Sequence, residues 1–317
     1  MKISIIDKIQ LDMHNWSRLE KCGDLIVFND DAQNRDEVVR RLNDADIGII
    51  SASSIDKYVF DQCQNLKMLS LYSTGYNHIN IDDADNAHVS VCNVPGFSSI
   101  AVAEFIFASL LTLNRHIIPA DKHIRDGLFD WYAFRGSELS EKVLGIYGTG
   151  SIGCHVAQIA NGFGMKVIAS SRTESRDKAQ RHHMDYVPFR RLLGDSDVIA
   201  VTCTATPETV GRFSDKEFAV MKSTAFFINT SRGSIVDYRA LTWALKNRII
   251  AGACIDVFPE EPPLKMELFK YANVILSPHI AYNTHEALEK LNDTCVDNII
   301  NFLSGKPTNV VNISERI

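Results

Sequence analysis

The chain has 317 residues, 45% of them hydrophobic and 23% charged, and carries a formal net charge of −6. That length and composition fit a globular protein with room for two domain cores, and they exclude a fibrous or disordered chain. The acidic balance argues against nucleic acid or an anionic membrane as a partner, so a small anionic substrate would have to find a local cation.

Short apolar runs alternate with amphipathic segments along most of the chain, the pattern of parallel strands joined by crossover helices. In the first third the expected strands are 2–6, 25–28, 47–51, 67–71 and 89–92. Asn93-Val94-Pro95-Gly96 interrupts the series, after which Ser98 or Ser99 can cap a helix that runs to Asn114. Across 100–113 that helix is apolar nearly all round, which places it in a domain core or a subunit interface. A second series of strands is expected at 142–147, 166–170, 198–202, 225–229, 252–257 and 273–277, with helices at 152–163 and 239–246 between them. A last helix over 285–303 puts Leu288, Leu291, Cys295, Ile299 and Phe302 on one face. No low-complexity tract or internal repeat is visible. The economical reading is two doubly wound α/β units joined near residue 97, with the last helix returning to the first unit.

The seven cysteines, at 22, 63, 92, 154, 203, 254 and 295, are odd in number and form no C-x-x-C pair. They read as reduced thiols, so neither a disulfide framework nor a metal site is expected. The apolar run at the N-terminus is far too short for a signal peptide, and no stretch approaches the roughly 18 apolar residues of a membrane span. The expected location is cytoplasmic, with no membrane partner.

Gly148-Thr149-Gly150-Ser151-Ile152-Gly153 follows the strand at 142–147 and opens the helix at 152–163. Glycines at this spacing allow a tight turn and let backbone amides approach a pyrophosphate at the positive end of a helix. Alone the pattern is only a glycine-rich turn. With a strand before it, a helix after it and another strand at 166–170, it reads as a dinucleotide-binding loop. An acid for the adenosine ribose is expected about 20 residues on, at the end of that next strand. The strand ends instead in Ser170-Ser171-Arg172-Thr173. A carboxylate would repel a 2′-phosphate, whereas Ser171, Arg172 and Thr173 can hydrogen-bond and neutralise one. NADP is therefore the expected cofactor. NAD stays open, because Arg172 could be a solvated loop cation and Glu174 could swing in to serve a free ribose.

Three later segments put polar groups at strand ends, where ligands of open α/β sheets gather. They are Asn229-Thr230-Ser231-Arg232-Gly233, Asp256-Val257-Phe258-Pro259-Glu260-Glu261-Pro262-Pro263 and Ser277-Pro278-His279-Ile280. A guanidinium, a carboxylate and an imidazole are what reduction of a 2-keto acid requires. Arginine can clamp the substrate carboxylate and polarise the ketone, and histidine can deliver the proton to oxygen. A glutamate can hold the imidazole ring. Taken singly each has an ordinary alternative: a surface ion pair, a packed histidine, a solvated acidic turn. Their joint position at successive strand ends is what points to catalysis.

At this point the sequence resembles the D-isomer-specific 2-hydroxyacid dehydrogenase family over nearly the whole chain. The matching stretches are Ser73-Thr74-Gly75-Tyr76-Asn77, residues 148–153, 228–237, 253–263 and 277–281. The resemblance implies a Rossmann nucleotide-binding domain at 97–284 inserted into a flavodoxin-like substrate domain of 1–96 plus 285–317, with a cleft that closes by hinge motion. It implies Arg232 as the substrate-binding arginine, His279 as the acid/base and Glu261, rather than Glu260, as its partner. Gly148, Gly150, Ser151, Ile152 and Gly153 would lie at the pyrophosphate, and Ser171, Arg172 and Thr173 at the adenosine ribose. Cys203, Thr204 and Thr209 would line the adenine side, with Thr230, Arg232 and Asp256 near the nicotinamide ribose and carboxamide. Backbone amides around Thr74, Gly75 and Tyr76 look like the substrate-carboxylate cradle. The helix after Ser99 resembles the segment through which such enzymes dimerise, so a homodimer is expected.

Members that use NAD usually carry an aspartate where Ser171 stands, and the Ser-Arg-Thr sequence looks more like the NADPH-linked glyoxylate and hydroxypyruvate reductases. The Thr-Gly-Tyr-Asn stretch and the ending at 305–311 lean mildly towards glycerate dehydrogenase-type relatives. Glutamate, rather than glutamine, as partner of His279 argues against the formate dehydrogenase branch. The leading expectation is an NAD(P)H-dependent reductase of a glyoxylate- or hydroxypyruvate-like 2-keto acid that yields the D-2-hydroxy acid. The alternatives are an NAD-dependent D-lactate-type dehydrogenase and a non-enzymatic dinucleotide-sensing binding protein. Tyr76, Phe97, Trp131 and Tyr282 are candidate pocket residues that could equally be core.

Overall fold

Runs of four or five residues buried on both sides belong inside a parallel sheet covered by helices on each face. The computed structural model describes residues 1–312; residues 313–317, the end of the stretch expected to close the first unit, lie outside them. The chain divides into two units, Met1–Phe97 with the chain from Thr284 onward, and Ser98–Asn283.

The first unit holds β1 (Lys2–Ile5), β2 (Asp24–Val27), β3 (Ile47–Ile50), β4 (Met68–Leu71) and β5 (Ser90–Cys92). All pairings are parallel and the order is β2-β1-β3-β4-β5, the flavodoxin-like arrangement. The period-2 pleat sends neighbours to opposite faces. Ile3, Ile5, Ile47, Ile49 and Met68 join one core, and Ile6, Ile50, Leu69 and Leu71 join the other. The helix His285–Leu303 contributes Leu291, Cys295 and Ile299 to the first of these cores, with Leu288 and Phe302 packed at its margin.

The second unit holds β6 (Val143–Tyr147), β7 (Lys166–Ser170), β8 (Met184–Tyr186), β9 (Val198–Val201), β10 (Phe226–Asn229), β11 (Gly252–Ile255) and β12 (Val274–Leu276). The order β12-β11-β10-β9-β6-β7-β8 reverses direction between β6 and β9, which is the Rossmann switch point. Val198 and Ala200 face one core while Ile199 and Val201 face the other. The helix Ser99–Asn114 is a core element of this unit: Val102, Ala103, Ile106, Phe107 and Leu110 pack with β6 and β9 residues. Ser98 stands at its N-cap position, but its side chain makes no capping hydrogen bond, contrary to the expectation from sequence.

Two departures from the sequence reading have physical causes. β8 was not foreseen, because three residues at a sheet edge, following Arg181-His182-His183, show no periodicity. Several strands also end one or two residues earlier than the apolar runs suggest. At those points the Ser51 amide and the side chains of Thr202, Asp256 and Ser277 take up loop hydrogen bonds, to Asp7, Gly148 and one another. Among the described residues no single helix is long and apolar enough to cross a membrane. The seven cysteines are free thiols.

Candidate active site

β10, β11 and β12 are adjacent and parallel, and their register aligns Asn229 with Ile255 and Ile255 with Leu276. The three chains therefore leave the sheet side by side, and the segments they enter carry Arg232, Glu261 and His279.

His279 Nδ1 lies 2.8 Å from Glu261 Oε2. The other oxygen, Oε1, accepts the Phe258 amide at 2.9 Å, so the carboxylate is tied to its own turn as well as to the ring. With Nδ1 engaged, Nε2 is the nitrogen left for a substrate proton. The Tyr282 ring meets the imidazole edge-on, with centroids 5.9 Å apart. His279 has a φ of 54°, in the left-handed region that a non-glycine residue enters only when its surroundings hold it there. Asp256 does the holding. It is fully buried; its carbonyl accepts the His279 amide at 2.8 Å, and its two carboxylate oxygens accept the Ile280 and Ala281 amides at 2.9 Å each. The Ser277 hydroxyl adds a fourth bond at 2.6 Å.

Arg232 Nη1 donates to the Ser231 carbonyl at 2.8 Å. Burial lowers the pKa of its guanidinium, and the Glu261 charge opposes that shift. Buried Asn229 braces this turn, donating to the Arg232 carbonyl at 3.0 Å and accepting the Ser231 amide at 3.1 Å. Gly233 lets the arginine turn meet the glutamate turn, since a Cβ there would fall 2.0 Å from the Phe258 carbonyl carbon. Thr230 is buried, and its hydroxyl has no partner among the described residues.

At the switch point, Gly148 has a φ of 105°, and a Cβ on it would stand 2.6 Å from the Cys203 backbone. A Cβ on Gly153 would meet the Gly148 carbonyl at 2.3 Å, whereas one on Gly150 would meet nothing within 4 Å. Open backbone at Gly150, at the N-terminus of the twelve-residue helix Ser151–Gly162, is where a pyrophosphate can approach. Ser151 is exposed there and Ile152 half-buried. These features, with the orphaned Thr230 hydroxyl, fit a nicotinamide dinucleotide. At the end of β7, Ser171 is half-buried and Arg172 and Thr173 are exposed.

In the first unit, the loop after β4 spends its carbonyls internally. The Thr74 carbonyl accepts from Asn93 at 2.7 Å and the Gly75 carbonyl from Ser73 at 2.7 Å. The amides of Thr74, Gly75 and Tyr76 have no acceptor among the described residues.

Residues 107–281 match the family model described as D-isomer specific 2-hydroxyacid dehydrogenase, NAD binding domain. Across 98% of this chain and 97% of the relative, the sequence is 37% identical to the glyoxylate reductase of Thermococcus litoralis. The chain belongs to the D-isomer-specific 2-hydroxyacid dehydrogenase family. A hydroxypyruvate reductase of Blautia hydrogenotrophica is 32% identical over 98% of this chain and 100% of its own. Among solved structures, an acyclic imino acid reductase, Bsp5, in complex with NADPH and D-Arg superposes with a TM-score of 0.92. It is 34% identical over 98% of this chain and 100% of its own. The protein is thus a nicotinamide-dependent oxidoreductase of the 2-hydroxyacid dehydrogenase type.

Several residues expected to touch ligand have structural partners of their own in this dehydrogenase. The Thr209 hydroxyl closes its own turn, donating to the Thr204 carbonyl at 2.8 Å and accepting the Thr206 amide at 2.7 Å. The Cys203 carbonyl accepts from the Ser231 hydroxyl, and burial pushes the Cys203 thiol up to about 12. Asp256, assigned in sequence to the nicotinamide side, spends its carboxylate on the His279 loop. Asn229, which heads its polar segment in the sequence, carries no role of its own there. Its position at a strand end next to Thr230 was the available signal. Phe97 and Tyr282 pack against cores, while Trp131 is 73% exposed. Among the described residues no group of three His, Cys, Asp or Glu side chains could hold a metal ion.

Proposed function

We propose that the protein reduces a small 2-keto acid of the glyoxylate or hydroxypyruvate kind to the D-2-hydroxy acid, in the cytoplasm, with NADPH preferred over NADH. The observation that carries this reading is the His279–Glu261 contact of 2.8 Å beside the Arg232 turn on the adjacent strand. When bound, the reduced nicotinamide supplies the hydride. His279 donates its Nε2 proton to the substrate oxygen, and Glu261 orients the ring and balances the imidazolium charge. Arg232 pairs with the substrate carboxylate in a partly dehydrated setting, where a charged hydrogen bond counts for more than in water. The amides of Thr74, Gly75 and Tyr76, without an acceptor among the described residues, are the proposed carboxylate cradle of the first unit. Ser171, Arg172 and Thr173 take the 2′-phosphate, and the residues of the glycine loop take the pyrophosphate. Cys203, Thr204 and Thr209 flank the adenine, and Thr230 and Asp256 the nicotinamide side.

The likeness to an imino acid reductase favours one second reading, reduction of a 2-imino acid. An iminium nitrogen already carries its proton, so hydride addition to it would not need His279. The test of both is oxidation of NADPH, and separately NADH, at 340 nm with glyoxylate, hydroxypyruvate, pyruvate and longer 2-keto acids, each with and without an amine. Turnover of keto acid alone with NADPH supports the proposal. Turnover only with amine present moves the substrate to the imine, and turnover only with NADH, as in a D-lactate-type dehydrogenase, discards the cofactor assignment.

A further inference from the structure

Thr149, the residue between Gly148 and Gly150, is held from three directions. Its amide donates to Ser171 Oγ at 3.4 Å, its hydroxyl pairs with that of Tyr186 at 2.9 Å, and its carbonyl accepts from the Lys178 ammonium at 2.9 Å. Ser171 and Lys178 thus converge on one residue of the glycine loop. The ammonium has three donors and commits one of them to Thr149, on a side chain that is otherwise exposed. Around it, the stretch from Ser171 to Arg181 sets Arg172, Arg176, Lys178 and Arg181 against Glu174 and Asp177, a basic run in a chain of net charge −6. Arg172 is a single exposed guanidinium at the end of β7, and an anion placed there would gain from a second cation.

We propose that Lys178 is a specificity-determining residue for the cofactor: anchored on the Thr149 carbonyl, its ammonium supplies a second cation, beside Ser171 and Arg172, for the 2′-phosphate of NADPH. The inference rests on the NADPH preference proposed above. An ammonium is a mobile point charge, so it can keep its loop contact and turn its free donors to a phosphate.

The test is equilibrium binding of 2′,5′-ADP and 5′-ADP to the full-length protein by calorimetry, with the NADPH and NADH KM values measured in parallel. Losing one partly exposed charged contact, Lys178→Gln should weaken 2′,5′-ADP about 5–20-fold and leave 5′-ADP within about twofold. Lys178→Arg should restore most of the loss. Equal weakening of both nucleotides would reduce Lys178 to a brace of the glycine loop and overturn the inference, as would no effect on either. If Arg172→Ala and Ser171→Asp lower the preference for 2′,5′-ADP while Lys178→Gln does not, the NADPH reading stands and the Lys178 assignment falls. If the unmodified protein binds both nucleotides equally, both fall together.

Discussion

Removing the imidazole of His279 takes away a proton donor without touching the glycine loop, so binding and turnover should separate. His279→Ala is expected to lower kcat for the keto acid about 10²–10⁴-fold. NADPH affinity, followed by quenching of protein fluorescence, should stay within about twofold. Near-normal turnover in this variant would remove His279 from the mechanism. Arg232→Ala should act on the substrate instead, costing about 10–150-fold in kcat/KM through the lost charged hydrogen bond. If that loss fell wholly on kcat with KM unchanged, Arg232 would be acting in the transition state alone and not as a clamp. Adjacent Glu260 and Glu261 differ only in which way the turn aims them, and the Phe258 amide on Oε1 of Glu261 is what aims it at the ring.

At the scale of elements, two buried aspartates do parallel work. Asp256 fixes the loop after β12, and Asp7, just past β1, fixes the loop after β3. Asp7 Oδ2 accepts the amides of Ser51, Ala52 and Ser53 at 2.9, 2.8 and 2.9 Å, and Oδ1 accepts the Ser53 hydroxyl. Burial pushes this carboxyl's pKa up, but the hydrogen bonds from Ser53, Ala52 and Ser51 outweigh it, and the net shift is downward. A carboxyl depressed in the folded state stabilises fully above its unfolded value, near about 3.9, and loses that contribution as pH falls through the folded one. Asp7→Asn brings an amide donor into a nest of donors and should cost about 1–3 kcal/mol at pH 7. Because the variant has nothing left to protonate there, the gap in Tm between it and the parent should narrow below about pH 4. Calorimetric melts from pH 7 to pH 3 would show this; a constant gap across the range would deny the carboxylate its role.

For the molecule as a whole, the homodimer expected through the helix Ser99–Asn114 has a further candidate surface in the segment that follows that helix. Most of that helix is committed to its own core. Beyond it Ile117, Ile118, Ile124, Leu128, Phe129, Trp131 and Tyr132 are all exposed, with Phe129 at 87%. So dense a run of large exposed apolar side chains is what an association surface would need, and the homodimer expected from the sequence predicts that a second copy of the chain covers it. Light scattering should then give a mass of about 71 kDa, twice the 35.5 kDa chain. The double variant Ile118→Glu with Phe129→Glu, at two solvent-facing positions, should halve it without lowering Tm by more than a few degrees. A mass of 35.5 kDa for the unmodified protein would overturn that expectation.

The sequence by itself determined the fold class and the kind of chemistry. Both are written in local patterns: strands buried on two faces, a glycine loop between strand and helix, and polar groups at the ends of β10, β11 and β12. Those patterns depend on near neighbours, which is why they survive in one dimension. β8 lay below that horizon, being three residues at an edge with no period to read. Tertiary structure alone decided where polar side chains spend their hydrogen bonds. Nothing local to Asp256 in the sequence tells that the amides of Ile280 and Ala281, 24 and 25 residues away, bond to its oxygens. Asn229 and Lys178 were silent for the same reason, since what each does is defined by its partner and not by its own residue type. A buried donor or acceptor must be satisfied by whatever the fold brings within about 3 Å, and the fold settles that pairing only when distant strands are laid side by side.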